Sequence, residues 1–155
     1  MLGIFTSITM QMKRIYSGLL EVETCTRADL SEMFGYFNQH ASESDYIVGW
    51  IDSLAGGKSI GRGDVHRANY LAPGMDPHPA QTLRTENQHL GPNLFGVLPR
   101  SVMWLLMRPM VRNAGMKVVN RGKYLAGSFS GVRKCQQPHV QFHFLLDYIP
   151  DWKKA

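Results

Sequence analysis

Acidic residues are almost missing from the middle of this 155-residue sequence: between positions 84 and 134, Glu86 stands alone against nine lysines and arginines. Residues 1–83 carry six bases and nine acids, and residues 135–155 carry two of each. The middle block, at a net +8, favours an anionic partner: a phosphate-bearing small molecule, an acidic lipid headgroup or nucleic acid. Nucleic acid is the poorest of the three. The basic residues share no helix with base-reading partners, and no aromatic side chains interleave with them.

Cysteine is scarce as well. Cys25 and Cys135, far apart in the chain, make neither a disulfide framework nor a CxxC site, which predicts free thiols in a reducing, cytoplasmic compartment. No apolar run approaches the roughly 18 residues needed to span a bilayer, and the first residues lack a basic n-region, so neither a membrane span nor a signal peptide is expected. Six histidines occur without an HExxH or a Cys/His cluster, which excludes a recognisable metal site. Paired acids on one element and an assembled Ser/His/Asp triad are also missing, so no catalytic residue is assigned.

What is present reads as short alternating elements. Residues 4–13 alternate, with Ile4, Ile8, Met10 and Met12 on one face, which predicts a strand. After a turn at Tyr16-Ser17-Gly18, a second strand over Leu19 to Glu23 places Leu20 and Val22 together. Thr26 and Asp29 predict a capped helix whose stripe is Leu30, Met33, Phe34 and Phe37. Tyr46 to Asp52 reads as a buried strand running into glycine-rich residues 55–63. That stretch is a turn and not a phosphate loop. Asp52 stands where a Walker loop needs its first glycine, and His66 stands where a dinucleotide fingerprint needs its last. A further strand is expected over Asp64 to Tyr70.

Residues 72–99 hold five prolines and predict a long irregular loop, either a lid or a disordered segment. From Pro99 the chain turns basic and apolar, with Arg100, Trp104, Arg108 and Arg112 among Val102, Leu105, Leu106, Met110 and Val111. Two readings stay open: an interfacial segment whose arginines and Trp104 meet lipid headgroups or another anionic ligand, or a core helix kinked at Pro109. Val140 to Leu146 reads as a last strand. In extended backbone His139 and His143 would lie on one face about 13 Å apart, too far to share a metal, while His143 could point into a cleft as a substrate-binding or proton-donating group. Pro150 is placed to open a helix. The expected fold class is α+β, an antiparallel sheet with helices packed on one face.

Three stretches in order, Leu2 to Met12, Tyr46 to Asp52 followed by Gly61-Arg62-Gly63, and Phe142 to Trp152, resemble FAD-linked oxidoreductases of the vanillyl-alcohol-oxidase type. The nearest branch is the one of decaprenylphosphoryl-ribose-oxidase-like and sterol-reductase-like enzymes. The resemblance implies that residues 1–18 are the closing strand of an FAD-binding domain and residues 19–155 the N-terminal part of a substrate (cap) domain. It implies FAD as cofactor, bound mainly by a domain outside this sequence, and oxidation of an alcohol carbon by hydride transfer to the flavin. Trp50 matches the cap tryptophan near the substrate pocket, and His143 falls where a polar or aromatic residue approaches that pocket. Asp52, Arg62, Asp147 and Trp152 match the motifs without an assigned role. The family's glycine-rich pyrophosphate loop and flavin-linking histidine have no counterpart here, so a partial chain, inactive alone and prone to associate through exposed sheet edges, is expected. The basic block would suit a sugar-like, anionic or lipid-linked substrate, with the protein peripheral on a membrane. The competing expectation is a non-catalytic α+β module that binds an anionic ligand or a partner protein.

Overall fold

The computed structural model describes residues 6–94 and 98–143. Its elements run β1 (Leu19–Arg27), α1 (Leu30–His40), β2 (Tyr46–Ile51), β3 (Gly63–Tyr70), α2 (Pro79–Thr82), β4 (Asn93–Leu94), β5 (Leu98–Pro99), α3 (Met103–Met107), α4 (Asn113–Ser130), β6 (Arg133–Pro138) and α5 (His139–His143). Four strands form one antiparallel sheet in the order β2-β3-β1-β6, and β4 pairs with β5 separately. The chain is therefore α+β, as its sequence predicts.

β1 is central because it supplies apolar side chains to both faces of the sheet. Leu20 and Val22 point one way and Cys25 the other, and none is more than 3% exposed. On the Cys25 face, Val65 and Ile47 pack against Met33, Tyr36 and Phe37 of α1. On the Leu20 face, Val22 and Ala68 pack against Phe142 of α5, with Tyr46 and Tyr70 alongside. α4 lies on this second face too, at the other end, where its Lys123 reaches Asp64 and the Trp50 ring. The expectation of helices on one face alone is thus corrected. A strand that is apolar on both sides needs cover on both.

Local chemistry accounts for other shifts from the sequence reading. α1 starts after Asp29 and not at Thr26: Asp29 accepts the Glu32 N–H (2.9 Å) while Glu32 accepts the Ala28 N–H (3.0 Å), a reciprocal cap. Thr26 stays in β1 and donates to Asp64 (2.8 Å). Of the expected stripe, Phe34 faces water and Tyr36 is buried in its place. β2 is an edge strand and not a buried one, with Val48, Trp50 and Ile51 exposed along it. Residues 6–13, expected as part of a strand, pair with no other strand among the described residues, and Ile8, Met10 and Met12 are exposed. The last strand among the described residues is β6, which begins seven residues before the expected Val140; residues 139–143 are helical, and 144–146 lie outside the described residues.

The proline-rich segment is fastened to the sheet by a buried carboxylate. Asp76 accepts from Ser17 Oγ (2.5 Å), Thr82 Oγ1 (2.5 Å) and the His78 N–H (2.8 Å). Those hydroxyls hold its carboxyl below the usual range. Gln88 Nε2 adds bonds to the carbonyls of Gly18 (2.8 Å) and Thr82 (2.7 Å). The segment is thus tied to the entry of β1, the corner where Ser17 is itself buried.

α4 docks so closely that one of its positions admits only glycine. A Cβ at Gly127 would meet Thr26 Oγ1 at 2.2 Å and Asp64 Oδ1 at 2.7 Å, whereas one at Gly122 would meet nothing within 4 Å. Gly127→Ala should therefore destabilise by about 2 kcal/mol through overpacking. Gly122→Ala, mid-helix and facing solvent, should stabilise by about 0.5–1 kcal/mol. Urea denaturation of both variants checks the pair; equal effects would show that α4 is not held against β1 and β3.

Candidate functional site

The strand registers lay out the Leu20 face as rows. Trp50, Asp64 and Thr26 lie side by side on β2, β3 and β1; the next row is Val48, His66, Thr24 and Arg133; then come Tyr46, Ala68, Val22 and Cys135, and finally Tyr70, Leu20 and Gln137. Neighbours in such a row are about 5 Å apart. α4 covers the first row and α5 packs near the last two. Between the helices opens a cleft of about 470 Å³ lined by Val22, Thr24, His66, Arg133, Lys134, Cys135 and Gln137. Its size suits a small ligand.

One wall of this region is built by a polar network. The Asp52 carboxylate, 2% exposed, accepts from Asn120 Nδ2 (2.9 Å), the Leu54 N–H (3.1 Å) and Arg62 Nε (3.2 Å). Burial alone would raise its pKa, but those donors outweigh burial and hold the carboxyl below the usual range. Asn120 Oδ1 in turn accepts from Trp50 Nε1 (3.2 Å), and the Arg62 guanidinium lies 5.0 Å from the Tyr124 ring centre. Lys123 sits 3.8 Å from the Asp64 carboxylate and 4.2 Å from the Trp50 ring centre. Asn120, Lys123, Tyr124 and Gly127 fall at the i, i+3, i+4, i+7 spacing of one helix face.

The floor carries a histidine with a fixed orientation. Thr24 Oγ1 lies 3.0 Å from His66 Nδ1. When the hydroxyl donates to Nδ1, the neutral ring carries its proton on Nε2. Burial lowers the His66 pKa, and the nearby Lys123 and Arg133 charges lower it further against the opposing pull of Asp64, so the ring is neutral at pH 7. Burial, with Arg133, also lowers Lys123, opposed again by Asp64.

The far end is aromatic. His139 and His143 share one helical turn, and their ring centres are 5.9 Å apart, not the 13 Å of an extended strand; this corrects the distance expected from the sequence. The Tyr46 ring lies 4.5 Å from His143 and the Tyr70 ring 5.1 Å from His139, and the two tyrosine hydroxyls are hydrogen-bonded to each other. Among the described residues no group of three or more His, Cys, Asp or Glu side chains is placed to hold a metal ion.

Trp50 and His143, singled out from the sequence, are brought to one face but not together: Trp50 lies against Asn120 and Lys123 of α4, and His143 lies exposed beside Tyr46 at the other end. Asp52 and Arg62 prove to be partners in the buried network. Asp147 and Trp152 lie outside the described residues. Arg100 and Trp104 are half-buried, while Arg108 and Arg112 are exposed at the α3–α4 corner. α3 ends at Met107, before Pro109, so the chain breaks there and does not continue as a kinked helix. No helix among the described residues is long and apolar enough to cross a membrane. Thr24, His66, Asn120, Lys123 and Arg133 were missed. The polar 3.6-residue stripe of α4 was the one signal that could have found part of the set.

No family model matches the chain, and no curated protein matches it.

Asp52 yields a pH test. Its folded-state pKa lies below the unfolded value of about 3.9, so its contribution is complete above that value and is lost as pH falls through the folded pKa. Asp52→Asn should cost about 3 kcal/mol near neutral pH by breaking a buried pair. The variant's stability should also fall less steeply than the parent's in acid. Urea midpoints measured across the acid range check both; parallel pH profiles would refute the assignment.

Proposed function

We propose that this chain is substrate-side sequence of an FAD-linked oxidoreductase that oxidises an alcohol carbon of a sugar-like or lipid-linked substrate, and that the cleft between α4 and α5 forms one wall of the substrate pocket. The observation that carries this reading is that residues from separate family-like stretches share one face of the sheet. Trp50 and His143 share one sheet face on either side of the cleft, and Asp52 and Arg62 join in the network that holds Trp50 in place. In this reading residues 1–18 would close the sheet of a flavin domain, and the present residues would bind and orient the substrate.

The glycine-rich turn has no room for a pyrophosphate at Gly61, whose φ is +74° and where a Cβ would meet Leu30 of α1 at 2.7 Å, while Gly56 and Gly57 are open. FAD would be held by other residues, and no step through it is assigned here. A non-catalytic module that binds an anionic ligand is the second reading, favoured by the cations around the same cleft.

Expression of the chain together with its flanking coding sequence separates the two. A flavoprotein should purify yellow and bleach anaerobically with a sugar or lipid-linked alcohol, and Trp50→Ala should slow bleaching while the flavin stays bound. A flavin-free, monodisperse product would overturn the oxidoreductase reading.

The outer side of α3 and α4 supports a peripheral membrane contact. Arg108, Arg112, Lys117 and Arg121 are exposed there beside Val111, Val118, Leu125 and Phe129. A basic rim around apolar side chains is the pattern that meets anionic headgroups. Vesicles containing phosphatidylglycerol should sediment the protein, and pure phosphatidylcholine vesicles should not. Replacing Phe129 by Ser and Arg121 by Gln together should abolish the difference; binding unchanged by that double substitution would exclude this surface.

A further inference from the structure

The open row of the sheet face carries Arg133, which no carboxylate of the described residues pairs, beside His66 and next to the Lys123–Asp64 ion pair under α4. Arg133, Thr24 and His66 are cross-strand neighbours on β6, β1 and β3. Lys123 reaches down from α4 close enough that its charge and that of Arg133 both act on His66, and Arg133 acts on Lys123 as well. The only carboxylate in this group is Asp64, and it already accepts from Thr26 and lies 3.8 Å from Lys123. Among the described residues no acidic oxygen comes within 4 Å of Arg133. Arg133 beside a partly buried histidine leaves a positive charge at the cleft with no carboxylate to pair it, and a bound oxyanion would supply that pairing.

We propose that the cleft binds an oxyanion, a phosphate group carried on a small polar molecule, with Arg133 and Lys123 supplying the charge and His66 Nε2–H a directed hydrogen bond. Arg133 sits at the sheet edge, where its planar fork can take two phosphate oxygens. Thr24 acts as a positioning residue: its hydroxyl on Nδ1 keeps the Nε2 proton toward the ligand. Val22, Lys134, Cys135 and Gln137 line the remainder of the cleft; Lys134 is paired with Glu23, and Gln137 offers an amide to hydroxyl groups of the carrier. This site deepens the substrate-pocket reading by naming the chemistry the pocket recognises, yet it needs no flavin and stands equally for a module without catalytic activity.

The experiment is a calorimetric titration of the chain with ribose 5-phosphate, ribose and inorganic phosphate, repeated with Arg133→Ala, His66→Ala, Thr24→Val and Lys58→Ala. Lys58 is an exposed base in the glycine-rich turn and controls for non-specific charge. Ribose 5-phosphate should bind, ribose should not, and Arg133→Ala should weaken binding about tenfold or more, the loss expected for a charge-assisted pair. His66→Ala should weaken it as well, Thr24→Val less, and Lys58→Ala not at all. Circular dichroism melts of each variant separate lost binding from lost folding. If phosphatidylglycerol vesicles bind through Arg133 while ribose 5-phosphate does not, the phosphate belongs to a lipid headgroup. Binding that ignores the phosphate, or that falls equally in Lys58→Ala and Arg133→Ala, overturns the site. None of these outcomes depends on flavin content, so failure here and failure of the oxidoreductase reading are told apart.

Discussion

The Asp52 carboxylate is the group on which the rest of this structure depends. It sits at the end of β2 and binds three separate parts of the chain at once: the backbone of the following turn, Arg62 before β3, and Asn120 in the middle of α4. A carboxylate so deeply buried is tolerated only when its charge is paired and its lone pairs are filled. The requirement fixes the position of α4. Once Asn120 is on Asp52, the next turn of the helix puts Lys123 on Asp64 and Tyr124 against Arg62, and Gly127 must pass over Thr26 without a side chain.

That docking decides which part of the sheet stays open. α4 takes the row of Trp50, Asp64 and Thr26, α5 packs beside the aromatic end, and the row of His66, Thr24 and Arg133 is left between them. Lys123 then has two roles that follow from one position. It neutralises Asp64 in part and it charges the margin of the cleft. The Asp76 clasp performs the matching task at the other end of β1, tying the proline-rich segment to Ser17 and Gly18 so that the strand enters the sheet at a defined point. Polar contacts thus set the arrangement of the elements, while Leu20, Val22, Cys25 and Val65 supply the burial that makes the sheet stable.

The parts legible in the sequence were those whose buried side is apolar. The alternation around Leu20 and Val22 marked β1, the Tyr46 to Ile51 run marked β2, the glycine-rich stretch read correctly as a turn, and Met33 and Phe37 marked the helix that follows β1. α4 gave no such signal. Its apolar residues Val118, Leu125 and Phe129 face water, and the side it buries is Asn120, Lys123, Tyr124 and Gly127. β6 reads Arg-Lys-Cys-Gln-Gln-Pro, which has no hydrophobic alternation because it is an edge strand, and charged or proline-bearing edges are how sheets discourage further pairing. The alternation in residues 6–13 misled for the opposite reason: it had the period of a strand without a partner strand among the described residues.

The sequence by itself determined the α+β class, the central strand, the first helix and the excess of positive charge in the middle of the chain. These depend on local periodicity and on composition, which survive without knowledge of the fold. Only the tertiary structure decided which faces the helices cover, that Trp50 and His143 share a face yet stand apart, and that His66 and Arg133 line one cleft while Lys123 sits on the neighbouring row at Asp64. Those facts depend on strand register and on helix docking through polar atoms. Residues 66, 123 and 133 are distant along the chain, and no spacing rule relates them until β1 pairs with β3 on one side and β6 on the other.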